Sequence, residues 1–325
     1  MNNHPFTLII QSFMKLLVRV MSRYQRFLPP KQKQKRKFCG GLFSSDNDVD
    51  TQARLIRKYN QFAAGLHFVS FVAALALSII YAGSSVQTEL TTDFKVFDAN
   101  STAPDRAGNF TATVESLAFY NVIWVDLPFP ILTALSHFII AEVPIVLKYY
   151  NYWLLEQGRG PLRWLEYGIT ASLMTWVILS LSGVTNIFTL IGIGVVFNVV
   201  LQWTGYEMEN RNMLKNRRRP QKIDWGPMII GWLIFLWQWA VIAAYFFAGV
   251  TSSDEVPWFV YSIIIGLFFQ FALFGALLVA RYALKEDSFF ASPYGNEIGY
   301  ITLSVTSKLF LTWNLLIGII SRNEF

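Results

Sequence analysis

Apolar residues in this chain gather into seven stretches separated by short polar or charged runs, at roughly 60–83, 118–147, 162–182, 186–206, 226–250, 256–280 and 298–320. A helix that crosses a bilayer core needs about 20 predominantly apolar residues. The pattern therefore predicts an all-α membrane protein, a bundle of seven transmembrane helices. Between the first two stretches the period changes. Residues 91–97 and 109–114 alternate polar and apolar positions, the period of a strand rather than a helix. They predict a small β-hairpin in a loop, 84–117, that is long for a helical bundle. Such a hairpin caps the bundle or pairs across a dimer.

Charge sets the expected orientation. Residues 1–58 hold twelve Lys and Arg, and the 207–224 connection holds Arg211, Lys215, Arg217, Arg218, Arg219 and Lys222. Lys148, Arg159 and Arg163 follow the second stretch, and Arg281 and Lys285 follow the sixth. The 84–117 loop has only Lys95 and Arg106 against five acids. The positive-inside rule puts the basic connections and the N-terminus in the cytosol, and seven crossings then put the C-terminus outside. Two sequons, at Asn100 and Asn109, fall in the loop assigned to the outer face. With 54% hydrophobic and 15% charged residues, against about 25% charged in a soluble domain, the chain has no composition left for a second globular unit.

The chain divides into a basic cytosolic extension, 1–55, and a seven-helix domain, 56–325. Within the extension, residues 6–21 are apolar but interrupted by Lys15 and Arg19. They read as an amphipathic helix on the inner leaflet, with a targeting presequence as the alternative. The Lys- and Arg-rich run 31–37 suits anionic lipid or simple topology anchoring. The single cysteine, Cys39, excludes a disulfide framework.

One residue breaks the apolar pattern where a break is costly. Lys308 stands in the middle of the seventh stretch, the only basic residue between Lys285 and Arg322. An ammonium at that depth costs on the order of 2.5–3.5 kcal/mol on insertion scales, so it is paired, neutralised or modified. The acids within or beside spans are Asp126, Glu142, Glu166, Glu207 and Glu209. Glu166, in the third stretch, is the best partner, being followed by a clean apolar run. Arg163, three residues before it on the same helix face, offers it a boundary salt bridge instead. Ser304 precedes Lys308 by one turn and projects on the same face. His67 and His137, in the first two stretches, join an acid and a lysine in a candidate proton network. The tryptophans of the fifth stretch and the phenylalanines of the sixth serve as interface belts or as an apolar sleeve beside the lysine. No metal-ligand spacing, nucleotide loop, GxSxG or HExxH occurs, so a metalloenzyme or a hydrolase has little support; the chain is not expected to be an enzyme.

Taken together, these motifs resemble those of a microbial-type rhodopsin, and in detail a heliorhodopsin. The resemblance rests on the third-stretch run Arg163-Trp164-Leu165-Glu166-Tyr167 and on Ser304 with Lys308 in the seventh. It also rests on His67 and His137, the long first outer loop and the inverted orientation. It covers roughly 55–322, and it departs from the family pattern at Gly168, where the family has serine. It implies a rhodopsin-like bundle with all-trans retinal in Schiff-base linkage to Lys308. Glu166 would be the counterion, Ser304 a hydrogen-bond partner, and His67, His137, Arg163 and Tyr167 a polar network on the inner side. Light would isomerise the polyene, move the nitrogen from Glu166 and release its proton.

Three functions compete. The first is a sensory photoreceptor that switches slowly and signals to a cytosolic partner or to lipid, as a homodimer. The second is a light-gated proton channel or transporter whose path would use Glu142, Glu207 and Glu209. The third is a retinal-free protein in which Lys308 and Glu166 form an ion pair. The third stretch has no second carboxylate beyond Glu166, which disfavours a pump. No nucleic-acid partner is expected.

Overall fold

The structure, a computed structural model, describes residues 46–81, 87–97, 110–252 and 256–321. Most of the basic extension, Cys39 and the two sequon asparagines lie outside the described residues. Seven of the described helices are long and apolar enough to cross a membrane. They are α1 (Asp46–Ile80), α2 (Val122–Glu142), α3 (Pro161–Leu181), α4 (Ile187–Arg211), α5 (Gly226–Ser252), α6 (Trp258–Ala283) and α7 (Pro293–Ser321). The strands β1 (Gln87–Phe97) and β2 (Phe110–Asn121) pair antiparallel between α1 and α2. Seven helices and one hairpin are the architecture that hydropathy and alternation predict.

The boundaries differ from the sequence pattern for local reasons. β2 runs through Leu117, Ala118, Phe119 and Tyr120, which read as the start of the second span, because their strand partners reach back to Gln87. Helix α2 starts only at Val122, where the Asn121 side chain accepts from the Ile123 amide at 3.1 Å. At the other end, Pro144 forces Val143 into an extended conformation and ends α2. A separate two-turn helix, Pro144–Asn151, follows. Pro161 opens α3 and Pro293 opens α7, the position where a missing N–H costs nothing.

The hairpin is fastened to the bundle by a few polar contacts. The Thr91 amide donates to Thr185 O at 2.9 Å, in the turn between α3 and α4. Tyr120 Oη lies 2.6 Å from Ser180 Oγ and accepts from Trp176 Nε1 at 3.0 Å. At this hairpin end the core is aliphatic and aromatic, with Met174, Ile178, Ile242, Ile263, Leu311 and Leu315 buried. Towards the opposite end, Trp164, Tyr167, Met208 and Tyr300 form a second apolar cluster. Large apolar side chains such as Phe62, Leu233, Trp237 and Phe269 remain exposed on the bundle's outside, as lipid contact requires.

Helices α3 and α4 approach closely at Gly205, against which the Trp164 indole lies. The indole cannot swing away, because its Nε1 donates to Glu209 at 2.7 Å. A methyl group at 205 would strike the ring. Gly205→Ala is therefore expected to destabilise the bundle by about 1–3 kcal/mol, seen as a lower Tm in detergent.

Candidate functional site

The helix positions that sequence marks as chemically unusual converge near the middle of the bundle. Lys308 Nζ donates to Glu166 Oε1 at 2.6 Å and to Ser304 Oγ at 3.1 Å. Both members of the ion pair are buried, with side chains 3% and 9% exposed. The same carboxylate oxygen accepts from Thr133 Oγ1 at 2.7 Å and lies 2.9 Å from Thr170 Oγ1. Helices α2, α3 and α7 thus fix one oxygen from three sides. The Lys308 ammonium also stands 5.3 Å from the centre of the Tyr167 ring. Such an arrangement sets an opposite charge and three hydroxyls around the nitrogen and its carboxylate partner and holds the nitrogen in one position.

On the side away from the hairpin lie the two histidines. Their rings are parallel within 3°, with centroids 6.1 Å apart. His137 Nδ1 is 2.7 Å from Asn60 Oδ1, while Asn60 Nδ2 donates to Ile56 O at 2.9 Å. That use of the amide puts the His137 hydrogen on Nδ1 and leaves Nε2 free to accept. Both His67 nitrogens are buried without a partner among the described residues. Both rings feel the Lys308 charge, and His137 also feels that of Glu166. Two imidazoles with accepting capacity therefore face the lysine–carboxylate centre.

Farther along, the bundle is closed by four buried charges. Arg163 pairs with Glu209 at 2.5 Å and with Glu297, and Arg281 donates to Glu209 at 2.9 Å. Glu209 also accepts from the Gly160 amide at 2.8 Å, and Glu297 from Tyr150 Oη at 2.6 Å. Arg163 stacks over Tyr300 with its guanidinium carbon 4.0 Å from the ring centre. The alternative Arg163–Glu166 bridge does not form: Arg163 turns to Glu209 and Glu297, leaving Glu166 to Lys308. Tyr167 points the same way, its hydroxyl donating to Tyr300 O at 3.1 Å.

Sequence reading missed Glu297, Arg281, Asn60 and Thr133. Glu297 lies one residue before the predicted seventh span, where an acid looks like loop. The expected path residues are not brought together. Glu142 meets Arg57 at 3.0 Å and Gln61 at 2.5 Å on the bundle exterior, and Glu207 meets Arg211 at 3.2 Å. Only Glu209 of the three reaches the interior.

A cavity of about 840 Å³, its open mouth included, runs from Lys308 between α3, α4, α5 and α6. Trp232, Phe235, Phe271 and Phe274 form most of its apolar wall, with Met174 and Leu201. The aromatic residues that face it are thus a subset of those the sequence offers, since Trp237 and Phe269 face outward. An apolar sleeve with a single reactive amine at its end suits an elongated hydrocarbon carrying one carbonyl.

A lysine in the seventh helix paired with an acid in the third, and an apolar sleeve running from the lysine, inside seven helices, define a rhodopsin-type membrane protein. The fold agrees. The crystallographic structure of xanthorhodopsin, a light-driven ion pump with dual chromophore, aligns with a TM-score of 0.54 at 10% identity, covering 84% of this chain and 95% of that chain. The light-driven proton pump rhodopsin of Coccomyxa subellipsoidea aligns with a TM-score of 0.46 at 13% identity, covering 78% and 96%. No curated protein sequence shows significant similarity. The sequence profile of the heliorhodopsin family matches residues 56–320, and the chain belongs to that family. The family supports a retinal-type, multi-pass membrane photoreceptor and implies a retinal chromophore.

The four-charge cluster is sensitive to losing one member. Glu209→Gln leaves two buried guanidiniums short of a carboxylate and is expected to cost about 3–5 kcal/mol. Glu142→Gln, on the exterior, is expected to leave the melting temperature unchanged. Parallel thermal unfolding of both variants tests the distinction.

Proposed function

We propose that this heliorhodopsin is a light sensor that carries all-trans retinal on Lys308. The observation that carries the reading is the buried Lys308–Glu166 contact of 2.6 Å at the end of an aromatic sleeve. Trp232, Phe235, Phe271 and Phe274 would hold retinal joined to Lys308, and the group would supply visible absorption and an isomerisable double bond.

The chain's own residues do the rest. Glu166 is the counterion, and Thr133 and Thr170 keep its oxygen aimed at the Lys308 nitrogen. Ser304 steadies the same nitrogen from one turn away. Any movement of the Lys308 nitrogen away from Glu166 would take from its positive charge the partner that makes burial tolerable, and would favour loss of its proton. His67 and His137 are the acceptors, since their ring nitrogens have capacity to spare. The proton then redistributes charge against the Arg163–Glu209–Arg281–Glu297 cluster, which ties α3, α4, α6 and α7 together. A shift among those four helices is the conformational output.

The cluster also favours sensing over pumping. It closes the end of the bundle opposite the hairpin with paired charges that are 0–5% exposed. We place that end, which carries Arg217, Arg218 and Arg219, in the cytosol, where a signalling partner or anionic lipid would read the change. The hairpin's exposed Val114, Leu117 and Phe119 would serve a homodimer contact.

The reading is tested by adding all-trans retinal to the purified chain. A visible band is expected, absent in Lys308→Ala and displaced to longer wavelength in Glu166→Gln, where the positive nitrogen loses its opposing charge. Well-folded wild-type protein with no visible band would refute it. Illumination of cells under voltage clamp should give no steady photocurrent; a sustained current would instead establish the proton-channel alternative.

A further inference from the structure

The centre described so far leaves one buried acid unused. Asp126 lies five residues past the hairpin, at the start of α2, and is wholly buried. The one hydrogen-bonding group its carboxyl meets among the described residues is the Thr312 hydroxyl of α7, and no cation pairs with it there. That hydroxyl is likewise buried and has no other partner among the described residues, and neither group is held at close hydrogen-bond geometry. Buried polar groups in native proteins are nearly always satisfied, so an acid and a hydroxyl left facing each other call for an explanation.

Position supplies one. Asp126, Thr133 and His137 stand at spacings of seven and four on α2, hence on one face. Ser304, Lys308 and Thr312 stand at spacings of four on α7. Thr133 touches Glu166, Lys308 touches Glu166 and Ser304, and His137 faces His67. The two stripes therefore form one line through the bundle. The histidines are at one end of it, the lysine–carboxylate pair at the middle and Asp126 with Thr312 at the hairpin end. Thr312 is one turn, about 5.4 Å, from Lys308 along α7, on the side opposite Ser304, so the nitrogen comes within its reach only after leaving Glu166 and Ser304.

We infer that Asp126 is an un-ionised carboxylic acid that returns a proton to the Lys308 nitrogen from the hairpin end, through the Thr312 hydroxyl. An ionised carboxylate with neither a cation nor an N–H donor would be far costlier there than the neutral acid. A neutral acid has a proton to give, whereas Glu166 is committed to the resting ion pair. In the transfer, the Asp126 O–H bond breaks and Thr312 accepts that proton while passing its own to the nitrogen, where an N–H bond forms. Asp126 is left as a carboxylate until the nitrogen hands that proton back by the same route and the histidines return theirs to the nitrogen. The protons thus shuttle within the bundle and no net charge crosses it, in keeping with a sensor that gives no steady photocurrent. This role rests on the retinal reading above, and the acid site can be tested without it.

The test uses the full chain in lipid nanodiscs, with Asp126→Asn, Asp126→Glu and Thr312→Val. In retinal-free protein, the infrared spectrum should contain the carbonyl stretch of a buried protonated carboxyl. It should vanish in Asp126→Asn, persist in Asp126→Glu and shift in Thr312→Val. After loading with all-trans retinal, Asp126→Asn should keep the wild-type visible spectrum. Its recovery after a flash should slow on the order of 10²-fold, the usual scale for losing a positioned acid, and Asp126→Glu should restore the rate. An infrared spectrum unchanged in Asp126→Asn would overturn the acid, and an unchanged recovery rate would overturn the donor role. If no visible band forms at all, the retinal reading and the donor role fall together, while the carboxyl stretch still decides whether Asp126 is a neutral acid.

Discussion

Everything in this bundle answers to a single electrostatic constraint: a lysine in the apolar middle of α7 must be matched at short range. The match is made with economy. One oxygen of Glu166 receives Lys308, Thr133 and Thr170, so the carboxylate is fixed by three helices. Attraction between two unit charges grows steeply as the surrounding dielectric falls, and so does the cost of separating them. That sensitivity makes the pair a suitable trigger. A displacement of the nitrogen that would be trivial in water becomes, here, an imbalance that a proton must correct.

The interior is graded along its length. At the hairpin end the core is aliphatic and aromatic, broken by Asp126 and Thr312. The middle holds one ion pair and the mouth of the sleeve. Beyond it come two histidines, and then a cluster of two arginines and two glutamates whose formal charges cancel. Polarity therefore rises from the hairpin to the opposite end. The aromatic sleeve lies to one side of this line, bounded by α5 and α6, and meets it at Lys308.

Much of this was legible in the residues. Seven apolar stretches and a change of period between the first two give the helices and the hairpin, because burial in lipid and strand pleating leave different periodicities. Lys308 stands out for the simple reason that nothing else in its surroundings is charged, and Glu166 is the acid best followed by apolar sequence. What stayed hidden depended on distance across the fold. Glu297 and Arg281 sit at span boundaries, where charges ordinarily meet water, and nothing local says that they turn inward. Arg163 is adjacent to Glu166 along its own helix, yet the partners it takes are 46 and 134 residues away. Leu117 to Tyr120 look like the start of a helix because their strand partners lie some thirty residues earlier. Glu142 and Glu207 show the converse error: acids near a membrane boundary that satisfy themselves with a neighbouring arginine on the outside.

The four-charge cluster has a bearing on how the chain is made. Its members come from α3, α4, α6 and α7, and the last of these leaves the ribosome after the other three. Arg163 is thus synthesised well before Glu297 exists, and until α7 arrives only Glu209 is at hand to neutralise two guanidiniums. That end of the bundle must stay hydrated while the earlier helices insert, and it can dry only when the last segment docks. A protein that reaches its closed state in this order carries its own proof-reading step: a chain truncated before α7 would keep an open, wet end, distinguishable from the finished receptor.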